Sequence, residues 1–266
     1  MKKNLGFIGC GKMAQAIIKG ILSSGTISSE QIMASAKTDS TLKKVEEQLA
    51  IYTTNDNKEV AKWANFLFLA VKPDLHMEVI QEIKNSIQED TVIITVAAGI
   101  TLDQMETWFG KDIKAIRSMP NTPSLVGEGM STICKNNQIT PEDLKAAVEI
   151  FQTFGKVEVI SEKLMDSVPA ISGSSPAYVY MFIEALADGG VKNGIPRDQA
   201  YRFAAQAVLG AAKMVLESGM HPGELKDQVC TPGGATIEAV IALEENGLRY
   251  AVMNAMEKCT DKIKNL

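Results

Sequence analysis

Apolar positions along this chain follow two regimes, and the change falls near residue 162. Before it, short apolar runs ending in small or polar residues alternate with helical stretches. The runs are residues 5–8, 31–35, 51–54, 66–71, 91–96 and 114–118. The run at 66–71 reads Phe-Leu-Phe-Leu-Ala-Val without alternation, as expected of a strand buried on both faces of a parallel sheet. Residues 12–22, 39–49, 57–63, 75–87 and 102–109 read as the intervening helices. This β-α-β alternation predicts an α/β fold, a Rossmann-type doubly wound parallel sheet. Residues 130–134 and 157–160 add strands. The helix between them is opened by Thr140-Pro141-Glu142-Asp143, with a capping hydroxyl, a first-turn proline and acids facing the helix dipole.

From Ser161 onward the strand signal disappears. Four or five helices are expected, at 177–192, 196–218, 222–229, 235–246 and 248–263, punctuated by Gly194, Gly219 and Gly247. In the second of them Ala200, Phe203, Ala204, Ala207, Val208, Ala211, Met214 and Val215 keep helical spacing. Faces so rich in alanine and large apolar residues fit a dimer interface or an internal core, and pattern alone leaves both open. The expected division is a dinucleotide-binding domain at 1–161 and an all-helical domain for substrate binding and dimerisation at 162–266.

Composition narrows the field. The chain has 266 residues, 45% of them hydrophobic and 22% charged, with a formal net charge of -5. No basic patch stands out, so no nucleic-acid partner is expected. Cys10, Cys134, Cys230 and Cys259 are far apart, as are His76 and His221, so no metal site is read. Met1-Lys2-Lys3 leads directly into an apolar strand, and no apolar run is long enough to cross a bilayer; a cytoplasmic protein without signal peptide or membrane span is the expectation.

Chemistry concentrates in the first strand–turn–helix, Leu5-Gly6-Phe7-Ile8-Gly9-Cys10-Gly11-Lys12-Met13-Ala14. Its Gly-x-Gly-x-x-Ala spacing suits a dinucleotide: Gly9 for the tight turn, Gly11 for approach of a pyrophosphate, Ala14 for close helix packing. The following helix offers free N–H groups to phosphate. After the second strand an NAD-preferring site usually has a carboxylate for the ribose 2′-hydroxyl. Here Ser35-Ala36-Lys37 supplies a hydroxyl and a cation, which suit a 2′-phosphate, although Asp39 stands close. The expected cofactor is NADP, with NADPH preferred and NADH admitted. Lys72-Pro73 and Ala97-Ala98-Gly99 end two further strands, where loops overlie a cofactor crevice. In the second half, Ser172-Gly173-Ser174-Ser175-Pro176-Ala177-Tyr178 and Cys230-Thr231-Pro232-Gly233-Gly234-Ala235-Thr236 each enter a helix. Both are expected to present N–H groups and hydroxyls to a carboxylate.

Taken together these segments resemble the pyrroline-5-carboxylate reductase family, nearly end to end. The resemblance runs through Phe7-Ile8-Gly9-x-Gly11-x-Met13-Ala14, Ala70-Val71-Lys72-Pro73, Ala97-Ala98-Gly99-Ile100 and Arg117-x-Met119-Pro120-Asn121-Thr122-Pro123. It continues through Ser172-Gly173-Ser174-x-Pro176-Ala177-Tyr178, Ala187-Asp188-Gly189-Gly190-Val191, His221-Pro222-Gly223-x-Leu225-Lys226-Asp227 and Pro232-Gly233-Gly234-Ala235-Thr236-Ile237. Ser175, where the family usually has glycine, and Gln228, where some members have asparagine, depart from it. The resemblance implies reduction of 1-pyrroline-5-carboxylate to L-proline by NAD(P)H, in a homodimer and often a decamer. It implies cofactor contacts from Ile8 to Met13 (Ile8, Gly9, Cys10, Gly11, Lys12, Met13), at Ser35, Lys37 and Asn57, along Ala70, Val71, Lys72 and Pro73, and along Val96, Ala97 and Ala98. It implies substrate-side contacts at Glu162, Ser174, Thr231, Gly233, Gly234, Ala235 and Thr236, the last of these hydrogen-bonding the imine nitrogen as the catalytic group. No strong general base is required, so neither histidine is given a role. A hydroxyacid dehydrogenase of similar plan would need a lysine and an asparagine on the helix after its glycine-rich entry, and Ala177–Glu184 has neither. A non-enzymatic NADP(H)-sensing module would not need the carboxylate-type loops of the second half.

Overall fold

The computed structural model describes residues 3–264. The chain forms two compact units. One runs to Ser174 and takes back the chain from Cys259 onward; the other is Ser175–Lys258. The segment after Ser161 therefore stays with the sheet for a further turn, past the point where the strand pattern ends.

In the sheet unit, strands and helices alternate as β1 (Leu5–Ile8), α1 (Lys12–Ser23), β2 (Ile32–Ser35), α2 (Asp39–Leu49), β3 (Tyr52–Thr54), α3 (Asn57–Trp63), β4 (Phe66–Leu69), α4 (His76–Ile83), β5 (Val92–Thr95), α5 (Leu102–Phe109) and β6 (Lys114–Met119). Then come β7 (Gly129–Lys135), α6 (Pro141–Gln152) and β8 (Gly155–Val159). The strand order is β3-β2-β1-β4-β5-β6-β7-β8. The doubly wound parallel sheet is present with one strand reversed, because β7 runs antiparallel to β6. The connection 120–128 holds only a 3-10 turn, Thr122–Val126. A parallel return needs a longer crossover, usually a helix. Parallel pairing resumes between β7 and β8, with α6 as that crossover.

Side-chain alternation explains the unbroken apolar strands. On β4, Phe66 and Phe68 enter the core under α1, α2 and α6, and Leu67 and Leu69 enter the core under α3, α4 and α5. Phe68 stacks on Phe7 with ring centroids 4.6 Å apart. Helix starts follow the local signals. Thr140 accepts from Asp143 N–H ahead of Pro141, and Thr101 forms the equivalent box with Gln104 at α5. The helix expected at 75–87 is shorter: a 3-10 turn, Pro73–Leu75, precedes α4. Ser86 N–H donates to Ile83 C=O at 2.7 Å, a tight final turn that closes the helix early.

The helical unit holds α7 (Ser175–Lys192), α8 (Arg197–Ser218), α9 (Pro222–Val229), α10 (Ala235–Glu245) and the first part of α11 (Leu248–Lys264). Helices α7 and α8 approach closely through small residues: a Cβ on Gly190 would sit 3.3 Å from that of Ala200. Within this unit only Ala187, Ala200 and Ala204 are buried. Tyr180, Met181, Phe203, Leu216, Tyr250 and Met253 are all exposed. An apolar groove of about 550 Å³ runs between Met181 and Phe182 of α7 and Leu248 and Val252 of α11.

Candidate active site

The turn after β1 is set by two glycines that do different work. Gly9 has φ +87°, and a Cβ there would lie 2.8 Å from the Ala70 carbonyl oxygen. Its N–H donates to Ser35 C=O at 3.1 Å, tying the turn to the end of β2. Gly11 is the N-cap of α1, with no side chain capping the helix, and a Cβ on it would meet nothing within 4 Å. Open space over uncapped N–H groups is what a pyrophosphate requires. Ala14 is buried in the core beneath. Ile8 and Cys10 are also buried. The Ile8 carbonyl accepts from Ala70 N–H, and the Cys10 carbonyl accepts from Gln15 Nε2. These two hold the turn's shape, and the solvent-facing positions are Gly11 and Lys12. Burial raises the Cys10 thiol to about 11, so it is not a nucleophile at neutral pH.

At the far end of the same crevice Ser35 and Asn57 meet. Ser35 Oγ donates to Asn57 Oδ1 at 2.7 Å, and Asn57 Nδ2 donates to Glu82 Oε2 at 2.7 Å. Lys37 stands exposed two residues beyond β2. A fixed hydroxyl–amide pair close to an exposed cation fits the phosphorylated ribose of NADP, and the glycine turn fits its pyrophosphate. Loops 70–73 and 96–98 follow the carboxyl ends of neighbouring strands β4 and β5.

Glu162 has a different setting from the one its sequence position suggests. Its Oε1 accepts from Leu102 N–H, the first turn of α5, at 2.8 Å and lies 3.7 Å from Arg117 Nη1. Arg117 is almost fully buried and reaches Asp166 at 2.5 Å. Glu162 and Asp166 thus clamp one guanidinium from both ends of the same turn, an arrangement that only the fold reveals. The same charge cluster bears on Cys134, whose thiol is pushed up to about 12, chiefly by burial and then by Glu162.

The two helix entries of the second half also differ. Residues 172–174 do not form an open helix start. A π-helical turn, Pro169–Gly173, runs into α7, and Ser174 N–H donates back to Pro169 C=O. That N–H is therefore already engaged, and what Ser174 can still turn to a ligand is its hydroxyl, which accepts from Cys259 Sγ at 3.3 Å. The entry at 231–236 is open. Gly234 N–H donates to Thr231 C=O at 3.0 Å, Pro232 and Gly233 occupy the middle of the turn, and Gly233 has φ +67°. Proline then a left-handed glycine is the demand of a type II turn. Gly234 is the N-cap of α10 without a side-chain cap, and Thr236 is half-buried in the first turn.

Sequence reasoning missed His76. Its ring is fully buried, with Nδ1 3.1 Å from Lys72 O and Nε2 3.0 Å from Thr95 Oγ1. A lone histidine in an apolar stretch carries no signal of such a setting, since its partners are a carbonyl and a residue on the next strand.

Comparison with known proteins agrees along the whole chain. Residues 162–266 match the family described as pyrroline-5-carboxylate reductase dimerisation, and residues 4–99 match NADP oxidoreductase coenzyme F420-dependent. The pyrroline-5-carboxylate reductase of Escherichia coli (strain K12) is 50% identical, over 100% of this chain and 99% of its own. That of Methanosarcina acetivorans is 43% identical, over 99% of this chain and 98% of its own. The crystal structure of Plasmodium falciparum pyrroline carboxylate reductase with NADP bound superposes with a TM-score of 0.90 at 35% identity, covering 99% of this chain and 97% of that one.

Proposed function

The chain belongs to the pyrroline-5-carboxylate reductase family, and from that premise we propose which of its residues carry the reaction. It is an NADP-dependent oxidoreductase that reduces 1-pyrroline-5-carboxylate to L-proline, the last step of proline biosynthesis. Bound NADPH supplies the hydride. The chain's own residues hold the imine. The substrate carboxylate lies on the Thr231 hydroxyl and the N–H groups of Gly233 and Ala235, against Gly234, whose own N–H closes the turn on Thr231 C=O, with Thr236 Oγ1 hydrogen-bonded to the ring nitrogen as it gains or keeps its proton. Glu162 and Ser174 complete the substrate side. Cofactor contacts are made by Ile8 to Met13, Ser35, Lys37, Asn57, Ala70 to Pro73 and Val96 to Ala98, and Lys37 gives NADPH its preference over NADH. The dinucleotide-binding function is carried by residues 1–161, and substrate binding and dimerisation by 162–266; residues 1, 2, 265 and 266 lie outside the described residues. The protein acts as a homodimer, with decamers built from such dimers. Four cysteines, none in a disulfide, favour the reducing cytoplasm. No helix among the described residues is long and apolar enough to cross a membrane.

The observation that carries the site assignment is the 231–234 turn. It delivers an uncapped helix N-terminus with the Thr231 hydroxyl beside Gly234, a natural seat for a carboxylate. Residues 231–236 carry no ionisable side chain, and none is needed: rate comes from holding donor and acceptor in line. Thr236→Ala removes one hydrogen bond to a charged group, a loss of about 1.5–3 kcal/mol, or roughly 10- to 100-fold in turnover. Cofactor affinity should be nearly unchanged and Thr236→Ser close to wild type. Turnover and melting temperature on both variants check this. A Thr236→Ala enzyme with full turnover, or one that only melts earlier, sinks the assignment.

A further inference from the structure

The two loops proposed to hold the nicotinamide side leave the sheet from adjacent strands and then part. Leu69 pairs with Thr95 in the parallel register of β4 and β5. The last backbone bond between the two chains, among the described residues, is Val96 N–H to Leu69 C=O at 3.3 Å. Beyond it the loop 70–73 and the loop 96–98 have separate courses. His76 bonds to Lys72 of the first and to Thr95 at the end of β5, whose hydroxyl in turn holds Ala97 of the second.

Its bonding fixes its tautomer. Lys72 O, a backbone carbonyl, can only accept, so Nδ1 carries the hydrogen. Thr95 Oγ1 already accepts from Ala97 N–H at 3.2 Å. Its own hydrogen is then directed to Nε2, 3.0 Å away. The resulting chain runs Ala97 N–H to Thr95 Oγ1, Thr95 O–H to His76 Nε2, and His76 Nδ1–H to Lys72 C=O. Each hydrogen has one acceptor, and every link is consistent with a neutral ring. Ser118 Oγ donates to the Thr95 carbonyl at 2.7 Å, which holds the threonine from the neighbouring strand as well. Burial lowers the His76 pKa against the smaller opposing pulls of the Lys72 carbonyl and the Asp74 charge, so the ring stays neutral at physiological pH.

We propose that His76 is a positioning residue for the cofactor, whose neutral ring clasps the loop after β4 to the loop after β5 and so fixes the seat of the nicotinamide. The proposal rests on the assignment of those loops to the nicotinamide end. His76 touches neither cofactor nor substrate; it acts through Lys72 and through Thr95 and Ala97. Loss of the clasp leaves the buried Thr95 hydroxyl without its acceptor, while Lys72 C=O keeps only its local bond from Leu75 N–H, and lets the loops drift apart; misplacement of a binding element by a fraction of an ångström weakens the half of the ligand that it seats.

The test uses two probes on the full chain: NADPH, and adenosine 2′,5′-bisphosphate, which occupies only the adenosine end. His76→Leu should weaken NADPH about tenfold and leave the bisphosphate unchanged. His76→Gln, which keeps an acceptor for the Thr95 hydroxyl but loses the bond to Lys72, should fall between. Thr95→Val should reproduce the loss and Thr95→Ser should not. The double variant His76→Leu with Thr95→Val should be no worse than either single, because both break one link. The KM for the imino acid should stay within about twofold in all of them. Equal weakening of both probes, or additive losses in the double variant, would mean general loosening and overturn the clasp. Should His76→Leu fail to fold, the Thr95→Val and Thr95→Ser pair decides alone. A wild-type chain that binds the bisphosphate, with an NADPH affinity unmoved by any of these changes, overturns the clasp and leaves the cofactor assignment standing. A wild-type chain that binds neither probe overturns both.

Discussion

Single residues set the chemistry of this chain through what they exclude as much as through what they offer. Lys37 is the plainest case. It is exposed beyond β2, next to a hydroxyl–amide pair in which Ser35 is held by Asn57 and Asn57 by Glu82. The pair is locked, so discrimination between a ribose 2′-hydroxyl and a 2′-phosphate falls to Lys37, the exposed cation two residues on from Ser35. Lys37→Glu replaces attraction by repulsion at an exposed site, where charge interactions are screened and of order 1 kcal/mol each. The ratio of kcat/KM for NADPH over NADH should therefore fall by roughly tenfold or more, mostly through NADPH. An unchanged ratio would remove Lys37 from cofactor choice. Its position was legible in the sequence, because a strand-end carboxylate is absent and its replacement is local. His76 and the Arg117 clamp were not legible, because their partners lie on other strands and turns, and neither residue type is rare enough to stand out by itself.

At the level of elements, most of the fold could be read, and the exceptions share a cause. Strands β4 and β5 were evident from unbroken apolar runs, and α6 from its capping threonine and first-turn proline. The reversal of β7 was not evident, since strand direction depends on whether a short connection can house a crossover, not on the strand's own residues. The π-turn before α7 was hidden for a similar reason. Ser172-Gly173-Ser174 has the composition of an open helix entry, yet Pro169 sits one π-turn upstream and its carbonyl captures Ser174 N–H. The 231–234 turn has a backbone that could be read because its signals are all internal: proline, then left-handed glycine, then a glycine with no room for a side chain. A Cβ on Gly234 would lie 2.3 Å from Thr231 Oγ1 and 3.1 Å from Thr231 O. The carbonyl cannot rotate away, so Gly234→Ala should drive the Thr231 hydroxyl off its rotamer. That costs about 0.5–1.5 kcal/mol, or roughly a two- to tenfold rise in KM for the imino acid, with NADPH binding unaffected. Gly210→Ala is the control, because a Cβ there, inside α8, meets nothing within 4 Å. Steady-state kinetics on both variants checks it, and an unaltered KM in Gly234→Ala would detach Thr231 from the carboxylate seat.

For the whole molecule, the helical unit poses the question that a single chain cannot answer by itself. Pattern alone left its apolar faces open between internal core and interface. The structure separates the two: only three alanines are buried, and Phe203, Leu216, Tyr250 and Met253 face outward. A unit of this kind cannot offset its conformational entropy by its own burial. Exposed apolar surface on this scale marks an interface, and the match of residues 162–266 to a dimerisation family says that a second copy is the natural cover. Folding and association are then linked, so stability must depend on protein concentration. The melting temperature should rise with concentration over the micromolar range, and light scattering should give at least twice the 28.8 kDa of one chain, or about ten times it for a decamer. Met181 offers the sharpest perturbation. It lines the groove between α7 and α11 and is 69% exposed, so Met181→Glu removes little packing within the unit. In a dimer it would bury a carboxylate without a partner, which costs several kcal/mol and shifts association by orders of magnitude. The variant should be mostly monomeric at micromolar concentration, melt earlier, lose turnover on dilution, and recover both as concentration is raised. A wild-type mass of 28.8 kDa, or a Met181→Glu chain that is as large and as active as wild type at every dilution, would show that this face is not where two copies meet.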